Sequence, residues 1–241
     1  MSQSSMLDKI RKLLAKAEDP AATPEEAEAY AGMAMALVAK YGIDQALLDA
    51  KKVDSEREPV VDRMRTVSAP YGMEKAVLLH RVSVPLNVYI VRHSRVAGGS
   101  YPVHMFGTDS DLDRVELLFA SLLIQAVRGV AAVNWVPLGE TLVGYRKAWI
   151  RGFANRVGER LTEANDQAVR EVGGNTTSTA MVLADRRTLA IGRAKDAYSN
   201  LKELKGPKVS VLGYGAGQRA GSQADIGSSR LGQQSATKAI G

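Results

Sequence analysis

The chain has 241 residues, of which 45% are hydrophobic and 24% are charged, as in ordinary folded globular proteins. This composition excludes a largely disordered chain, a collagen and a long coiled coil. The absence of cysteine excludes disulfide scaffolds, thiolate metal sites and thiol nucleophiles. No apolar run approaches the roughly 18 residues of a membrane helix, and no signal-peptide pattern is visible. We therefore expect a cytoplasmic protein without a membrane partner.

The net charge of +6 is distributed unevenly along the chain. Residues 1–58 carry a net charge of −3, whereas residues 59–241 carry +9. An excess of positive charge attracts anionic partners but does not specify a fold. An anionic partner for the basic part is one interpretation of this distribution, and an ordinary solvated surface is the other.

The first fifty residues predict three helices. Apolar residues at helical spacing indicate a first helix that starts at Asp8 and ends before Pro20. Thr23, followed by Pro24 and Glu26, is a typical helix start with a capping box, and the second helix is predicted over residues 25–41. Its predicted apolar seam consists of Tyr30, Met33, Leu37 and Tyr41. Gly42 is expected to end that helix, and a third short helix is expected over residues 44–52.

The segment KIRKLLAKAEDPAATPEEAEAYAGMAMALVAKYGI, residues 9–43, resembles the signature of a bacterial and phage family, the domain of unknown function numbered 2786. The shared features are a basic helix, a short gap and an alanine- and glutamate-rich helix that ends in Lys-Tyr-Gly-Ile. The resemblance implies a helical hairpin followed by a mixed α/β domain. Phe106–Asp109 and Trp149–Phe153 resemble features of that second domain more loosely. The resemblance implies no catalytic residue and no cofactor.

The middle of the chain predicts a small β-structure between helices. Residues 60–67 fit a short strand or a helical turn, and residues 74–84 fit a helix. Residues 87–93 and 101–107 are rich in β-branched and aromatic residues and predict an antiparallel hairpin. Pro102 in the second of these strands favours an edge position in the sheet, because proline has no backbone N–H.

Three long helices are predicted to follow this hairpin. The segment 111–133 is apolar around most of its circumference, which indicates either the central core helix or a contact between copies. Residues 142–172 and 181–204 also show helical spacing. A short strand is predicted at 209–212, followed by a Gly/Ser-rich tail that holds too few apolar residues to order by itself. An ordered tail would therefore need a neighbouring surface.

Three constellations resemble ligand sites but match them incompletely. The glycines of Gly213–Gly217 follow the predicted strand, but Gln218 occupies the last glycine position of a dinucleotide-binding loop, so a glycine turn is the better interpretation. Asp109, Asp111 and Asp113 lack the remaining positions of a calcium loop, and they suit the capped N-terminus of a helix, with Thr108 or Asp109 as the cap. His93 and His104 could lie close together across the hairpin, without a motif that defines a metal site.

The sequence contains no nucleophile motif of the G-x-S-x-G type, and we assign no catalytic residue, no metal ligand and no cofactor. The candidate residues for binding DNA or RNA are basic residues of the two last predicted helices: Lys147, Arg151, Arg156, Arg186, Arg187 and Arg193. The basic residues of the helix at 142–172 do not form one stripe. A solvated surface is therefore the alternative interpretation of this set.

Together these features predict an α+β fold that is predominantly helical. We expect a helical hairpin domain at residues 1–52, a mixed α/β domain at 60–205, in which a small antiparallel hairpin packs on long helices, and a Gly/Ser-rich tail at 206–241. The predicted function is non-catalytic binding of nucleic acid by the basic second half. The alternative is a structural protein that assembles into homo-oligomers through helix 111–133 and the tail, and a metal-dependent enzyme is the third possibility.

Overall fold

The computed structural model describes residues 3–17, 19, 21–171, 176–202 and 210–224. These residues form seven α-helices and a sheet of three strands, so the prediction of a predominantly helical α+β fold is confirmed. No helix in these ranges is long and apolar enough to cross a membrane. The predicted domain boundaries stay predictions.

The N-terminal hairpin consists of α1 (Gln3–Ala17) and α2 (Pro24–Ala50). Helix α2 starts with the predicted capping box, in which Thr23 and Glu26 each accept a hydrogen bond from the backbone N–H of the other residue. The buried side chains on α1 are Leu7, Ile10 and Leu14. On α2 the buried face contains Ala34 and Val38, whereas Met33 of the predicted seam is exposed.

Helix α2 continues through Gly42, where the sequence predicted its end. A Cβ at position 42 would overlap the guanidinium group of Arg114, which reaches α2 from another part of the chain. The Nη1 atom of Arg114 donates a hydrogen bond to the carbonyl oxygen of Val38, at 3.2 Å. Glycine is therefore required here by the close approach of Arg114 to the middle of a helix, and it does not end the helix. The predicted helices 25–41 and 44–52 are a single element.

The sheet has the strand order β1 (Val60–Val67), β3 (Tyr101–Thr108), β2 (Tyr89–Arg92), and both pairings are antiparallel. The predicted hairpin of β2 and β3 is confirmed. The expected edge position of the strand with Pro102 is wrong, because β1 pairs with the other side of β3 and makes it the central strand. Pro102 is tolerated as the second residue of β3, near the end of the ladder, where its carbonyl oxygen accepts a hydrogen bond from His93.

Helices α3 (Gly72–Ser83), α4 (Asp109–Ala131) and α5 (Leu142–Glu171) form the main core with one face of the sheet. Thr108, one of the two predicted cap residues, caps α4. The largest apolar side chains of α4 lie inside the chain, among them Leu118, Phe119 and Leu122. Ile124 and Val127 are left exposed. The apolar character of α4 is thus explained mainly by its central position in this fold.

Helix α6 (Thr176–Ala197) covers the other face of the sheet. Its Ala190 and Ala194 pack on Phe106 of β3, in a small apolar cluster separate from the main core. Its first half meets α2, where Leu183 contacts Ile43 and Ala39. Helix α6 therefore connects the N-terminal hairpin to the sheet.

Residues 211–223 form a seventh helix, α7 (Val211–Gln223), and the predicted strand and glycine turn in this region are wrong. Gly213, Gly217 and Gly221 are spaced four residues apart and form one buried face of α7. This face packs directly on the backbone of α5, where a Cβ on Gly217 would overlap the carbonyl oxygen of Trp149. The neighbouring surface that orders this part of the chain is α5 itself. Residues 225–241 of the predicted tail lie outside the described residues.

A buried ionic cluster joins the hairpin, the segment before β1, α4 and α6. It contains two cations and three carboxylates: Arg114, Arg186, Asp49, Glu58 and Asp111. Arg186 Nη2 lies 3.1 Å from Asp49 Oδ2, and its Nη1 lies 3.4 Å from Asp111 Oδ2. Burial works to raise the pKa of Asp49, but the hydrogen bond from the Glu58 backbone and those from Lys52 and Arg186 hold that pKa below its ordinary value. The charges of the cluster are therefore paired within the chain.

Candidate functional site

Four side chains from distant parts of the sequence form a continuous chain of hydrogen bonds on the α6 side of the sheet. His104 lies in the middle of β3, opposite Met64 of β1. Asp62 is two residues from Met64, so its side chain lies on the same sheet face and diagonally across from His104. The His104 Nε2 atom and the Asp62 Oδ2 atom are 2.8 Å apart.

Tyr198 supplies the centre of this chain from the end of α6. Its ring packs edge-on against Phe106, at 6.2 Å between centroids, which fixes the position of its hydroxyl group. That hydroxyl lies 2.7 Å from His104 Nδ1 and 2.9 Å from His93 Nε2. The two histidines, whose proximity the hairpin predicted, are therefore connected through Tyr198.

The direction of the hydrogen bonds follows from Asp62, which as a carboxylate can only accept. The hydrogen bond from His104, with the charge of Arg193 nearby, holds the pKa of Asp62 below its ordinary value. The neutral tautomer of His104 that donates from Nε2 to Asp62 leaves Nδ1 to accept the Tyr198 hydroxyl proton. The Tyr198 oxygen then accepts from His93 Nε2–H. We call this chain of four side chains, Asp62, His104, Tyr198 and His93, the tyrosine relay.

The surroundings of the tyrosine relay are cationic. Residues 75–108 contain no acidic residue, and they hold four lysines and arginines and all three histidines of the chain. The C-terminal part of α6 and the residues after it, 187–202, contain four lysines and arginines and one acid, Asp196. The hydrogen bond between His93 and Tyr198 brings these two segments together. An anionic group is therefore favoured at this place.

Individual cations lie close to the relay. Arg193 Nη2 is 3.3 Å from Asp62 Oδ1, and its side chain is 52% exposed. Arg92 follows Val91, the partner of His104, and therefore points to the opposite sheet face. There its guanidinium group lies over the Tyr101 ring at 5.0 Å and donates from Nη1 to the backbone oxygen of His93. Arg95, Lys195 and Lys202 are exposed. We call the exposed cations Arg95, Arg193, Lys195 and Lys202, together with His93 and Tyr198, the cationic surface.

The structure does not bring the six predicted nucleic-acid-binding residues together on one face. On α5, Lys147 is exposed, whereas Arg151 lies 3.1 Å from the buried Glu74. Arg156 is paired with Glu159 and Glu163 on the same helix. The guanidinium groups of Arg151 and Arg156 thus already donate to carboxylates of the chain.

The three predicted residues of α6 have three different environments. Arg186 is buried in the ionic cluster, Arg187 is exposed, and Arg193 borders the tyrosine relay. Neighbouring residues on a helix point about 100° apart, which explains why Arg186 and Arg187 differ. Only Arg193 of the six belongs to the cationic surface.

The described part of the chain contains no group of three or more histidine, cysteine, aspartate or glutamate side chains arranged to hold a metal ion. Asp109 and Asp113, two of the three spaced aspartates, accept from Arg63 at 2.6 and 2.7 Å. The third, Asp111, belongs to the ionic cluster. All three carboxylates are thus used in ion pairs inside the chain.

The comparison with known protein families found a match in the N-terminal hairpin. Residues 5–45 match the family model of DUF2786, a protein of unknown function. This confirms the resemblance found in the sequence, and the mixed α/β region that the resemblance implies follows the hairpin. Neither the curated proteins nor the solved structures include a significant match to the chain. The DUF2786 segment contains Val38 and Gly42, which contact Arg114, and no residue of the tyrosine relay.

Sequence reasoning found His93 and His104 but missed Asp62 and Tyr198. The proximity of the histidines followed from the hairpin, which pairs residues close in sequence. Asp62 and Tyr198 are 136 positions apart in the sequence, and no spacing rule connects them. The acid-free stretch 75–108 is the one sequence signal that points to this place.

Proposed function

We propose that the protein is a cytoplasmic nucleic-acid-binding protein and that the cationic surface is where it binds. The observation that carries this proposal is the meeting of the acid-free segment 75–108 with the cationic end of α6 at the His93–Tyr198 hydrogen bond. Lysine and arginine neutralise backbone phosphates, and aromatic side chains between them offer stacking for bases. Both residue types are present here.

The surface suits a single strand better than a duplex. Its elements are a strand connection and a helix end, and the relay side of α6 is packed on the sheet, so that face of α6 is not free to enter a major groove. Single-strand binding sites combine cations along the backbone with aromatic platforms. Tyr198 and His93 are the aromatic side chains of the cationic surface.

Binding is tested by titrating labelled single strands and duplexes with the full chain at several salt concentrations. We expect log K to fall linearly with log salt concentration. If each cation contacts one phosphate, the double variant Arg95→Glu/Lys195→Glu should reduce the magnitude of the slope of log K against log salt concentration for single strands by about 1.4. The matched control is Lys12→Glu/Lys40→Glu, which makes the same change in net charge on the exposed side of the hairpin.

Three outcomes would contradict the proposal. The first is a wild-type chain with no affinity for DNA or RNA at low salt. The second is an equal loss of affinity in the control variant, which would indicate general charge attraction only. The third is a loss in Lys147→Glu that matches the loss in Arg95→Glu/Lys195→Glu, which would place the contact on α5 instead.

Self-assembly is the second candidate function, because exposed apolar side chains surround the start of α7. Trp135, Leu138 and Val211 are exposed, and the hydrogen bond from Ser210 to Glu140, at 2.6 Å, holds the start of α7 beside the 135–140 segment. Exposed apolar groups of this kind are typical of contacts between proteins. The proposed occupant is a second copy of the chain.

Light scattering of the full chain tests this second candidate. Assembly predicts a mass above 25.9 kDa that falls to the monomer value in Trp135→Ser/Leu138→Ser. The matched control is Leu189→Ser on α6, which removes an apolar side chain that is 60% exposed elsewhere. A monomeric wild-type chain would contradict assembly.

A further inference from the structure

The geometry of the tyrosine relay points to an activity beyond binding: we propose that Tyr198 is a nucleophile that attacks a phosphodiester. The inference rests on the proposed function for its substrate class, a nucleic-acid strand. It assigns Tyr198 as the attacking group, His104 as its general base and Asp62 as the positioning residue of His104. His93 donates a hydrogen bond to the attacking oxygen.

The arrangement has the three parts that an activated hydroxyl nucleophile requires. The hydroxyl lies within hydrogen-bond distance of a base, at 2.7 Å from His104 Nδ1. The base is oriented in turn by a third group, the Asp62 carboxylate, at 2.8 Å from Nε2. The Phe106 ring packs against the His104 imidazole at 4.3 Å between centroids, tilted by 45°, and helps to keep it in place.

The end of the relay is open to solvent and cationic. His93 and Tyr198 are half-buried, the Asp62 side chain is 35% exposed, and the Arg193 side chain is 52% exposed. A phosphodiester carries one negative charge and gains a second partial charge as the nucleophile attacks. Arginine beside the relay stabilises that charge in the way that guanidinium groups stabilise transferring phosphoryl groups.

The proposed step balances without a further reactant. His104 Nδ1 takes the hydroxyl proton of Tyr198 while the tyrosine oxygen forms a bond to phosphorus. The bond between phosphorus and the sugar oxygen opposite the tyrosine oxygen breaks, that leaving oxygen takes a proton from water, and the His104 imidazolium returns its proton to the solvent. The products are a phosphodiester between Tyr198 and one end of the strand, and a free hydroxyl on the other end. Asp62 stays ionised throughout and stabilises the transient imidazolium.

The first test uses bis(p-nitrophenyl) phosphate, a phosphodiester that needs no nucleic-acid recognition. We expect the full chain to release p-nitrophenolate with a burst and to gain the mass of a p-nitrophenyl phosphate group. Peptide mass spectrometry should place that group on Tyr198. Tyr198→Phe should abolish the adduct, and His104→Gln should slow its formation about 100-fold or more, the usual range for a general base.

The matched control is Tyr89→Phe, which removes another half-buried tyrosine hydroxyl of the same apolar cluster. It should leave adduct formation unchanged. Thermal unfolding of each variant shows whether it is folded, and the position of the adduct in the wild-type chain tests the inference even if a variant does not fold. If Tyr198 has a purely structural role, no adduct should form in the wild-type chain or in any variant.

The second test uses a pool of random single-stranded oligonucleotides, in DNA and RNA form, and looks for a complex that survives denaturing electrophoresis. Strand binding without any adduct on Tyr198, from either reagent, would overturn the nucleophile and leave the proposed function standing. An adduct from bis(p-nitrophenyl) phosphate on Tyr198 without strand binding would overturn the proposed function and leave the nucleophile standing. An adduct spread over several tyrosines, or one formed equally fast by His104→Gln, would also overturn the inference.

Discussion

Replacing Arg186 by methionine is expected to lower the free energy of unfolding by about 3–5 kcal/mol, the usual cost of breaking a buried ion pair from one side. The methionine side chain keeps much of the volume but removes the positive charge that faces Asp49, Glu58 and Asp111. Asp111 would then keep its pair with Arg114 and Asp49 its pair with Lys52, whereas Glu58 would lose its arginine. Denaturant unfolding followed by circular dichroism measures the change.

The adjacent residue supplies the control for this variant. Arg187→Met makes the same chemical change on the exposed side of α6 and should alter the free energy of unfolding by less than about 0.5 kcal/mol. Similar unfolding midpoints for the two variants would contradict the role assigned to the ionic cluster. The pair also separates stability from binding, because both residues were predicted from the sequence to contact nucleic acid.

The second large effect is expected at the contact of α5 and α7. Gly217→Ala should destabilise the fold by about 1–3 kcal/mol or more, because the added methyl group would overlap the backbone of Trp149 and push the two helices apart. The position is deep in the contact, because Gly213 and Gly221 on either side of it also pack closely on α5. A Cβ added at Gly213 would lie 2.7 Å from the carbonyl oxygen of Tyr145, and one added at Gly221 would lie 2.8 Å from the Cβ of Arg156. Thermal unfolding measures the loss.

Gly215→Ala is the matched control on the same helix. A Cβ at position 215 meets only the Nη1 atom of Arg219, at 3.8 Å, so the methyl group has space. Alanine is favoured over glycine inside a helix by about 1 kcal/mol, and we expect a gain in stability. Destabilisation of equal size at both positions would show that α7 does not pack on α5 through this face.

The end of α7 is held by a second kind of contact. The buried Arg160 of α5 donates from Nη1 to the carbonyl oxygens of Gly221, Ser222 and Ala224. These are backbone acceptors at the C-terminal end of α7, which have no partners within a helix. Together with the glycine face, this contact explains how a segment with few apolar side chains is ordered: close backbone packing and a buried arginine replace side-chain burial.

The spacing of residues in the sequence was sufficient to predict the elements whose signals lie within a few neighbouring positions. The capping box of Thr23 and Glu26, the hairpin of β2 and β3, and the three long helices all follow from residues within a few positions of one another. The same holds for the DUF2786 segment, whose match lies within two adjacent helices. The glycines at 213, 217 and 221 also carried a local signal, because a spacing of four places them on one helix face, but the prediction of a glycine turn missed it.

The tertiary structure decided the points at which distant residues meet. The role of Gly42 depends on Arg114, the central position of β3 depends on β1, and the environment of Arg186 depends on carboxylates from three other segments. The tyrosine relay is the clearest example, because each of its hydrogen bonds joins residues at least 42 positions apart. Propensity and periodicity act over a few residues, whereas these contacts form only when the sheet and α6 pack on each other.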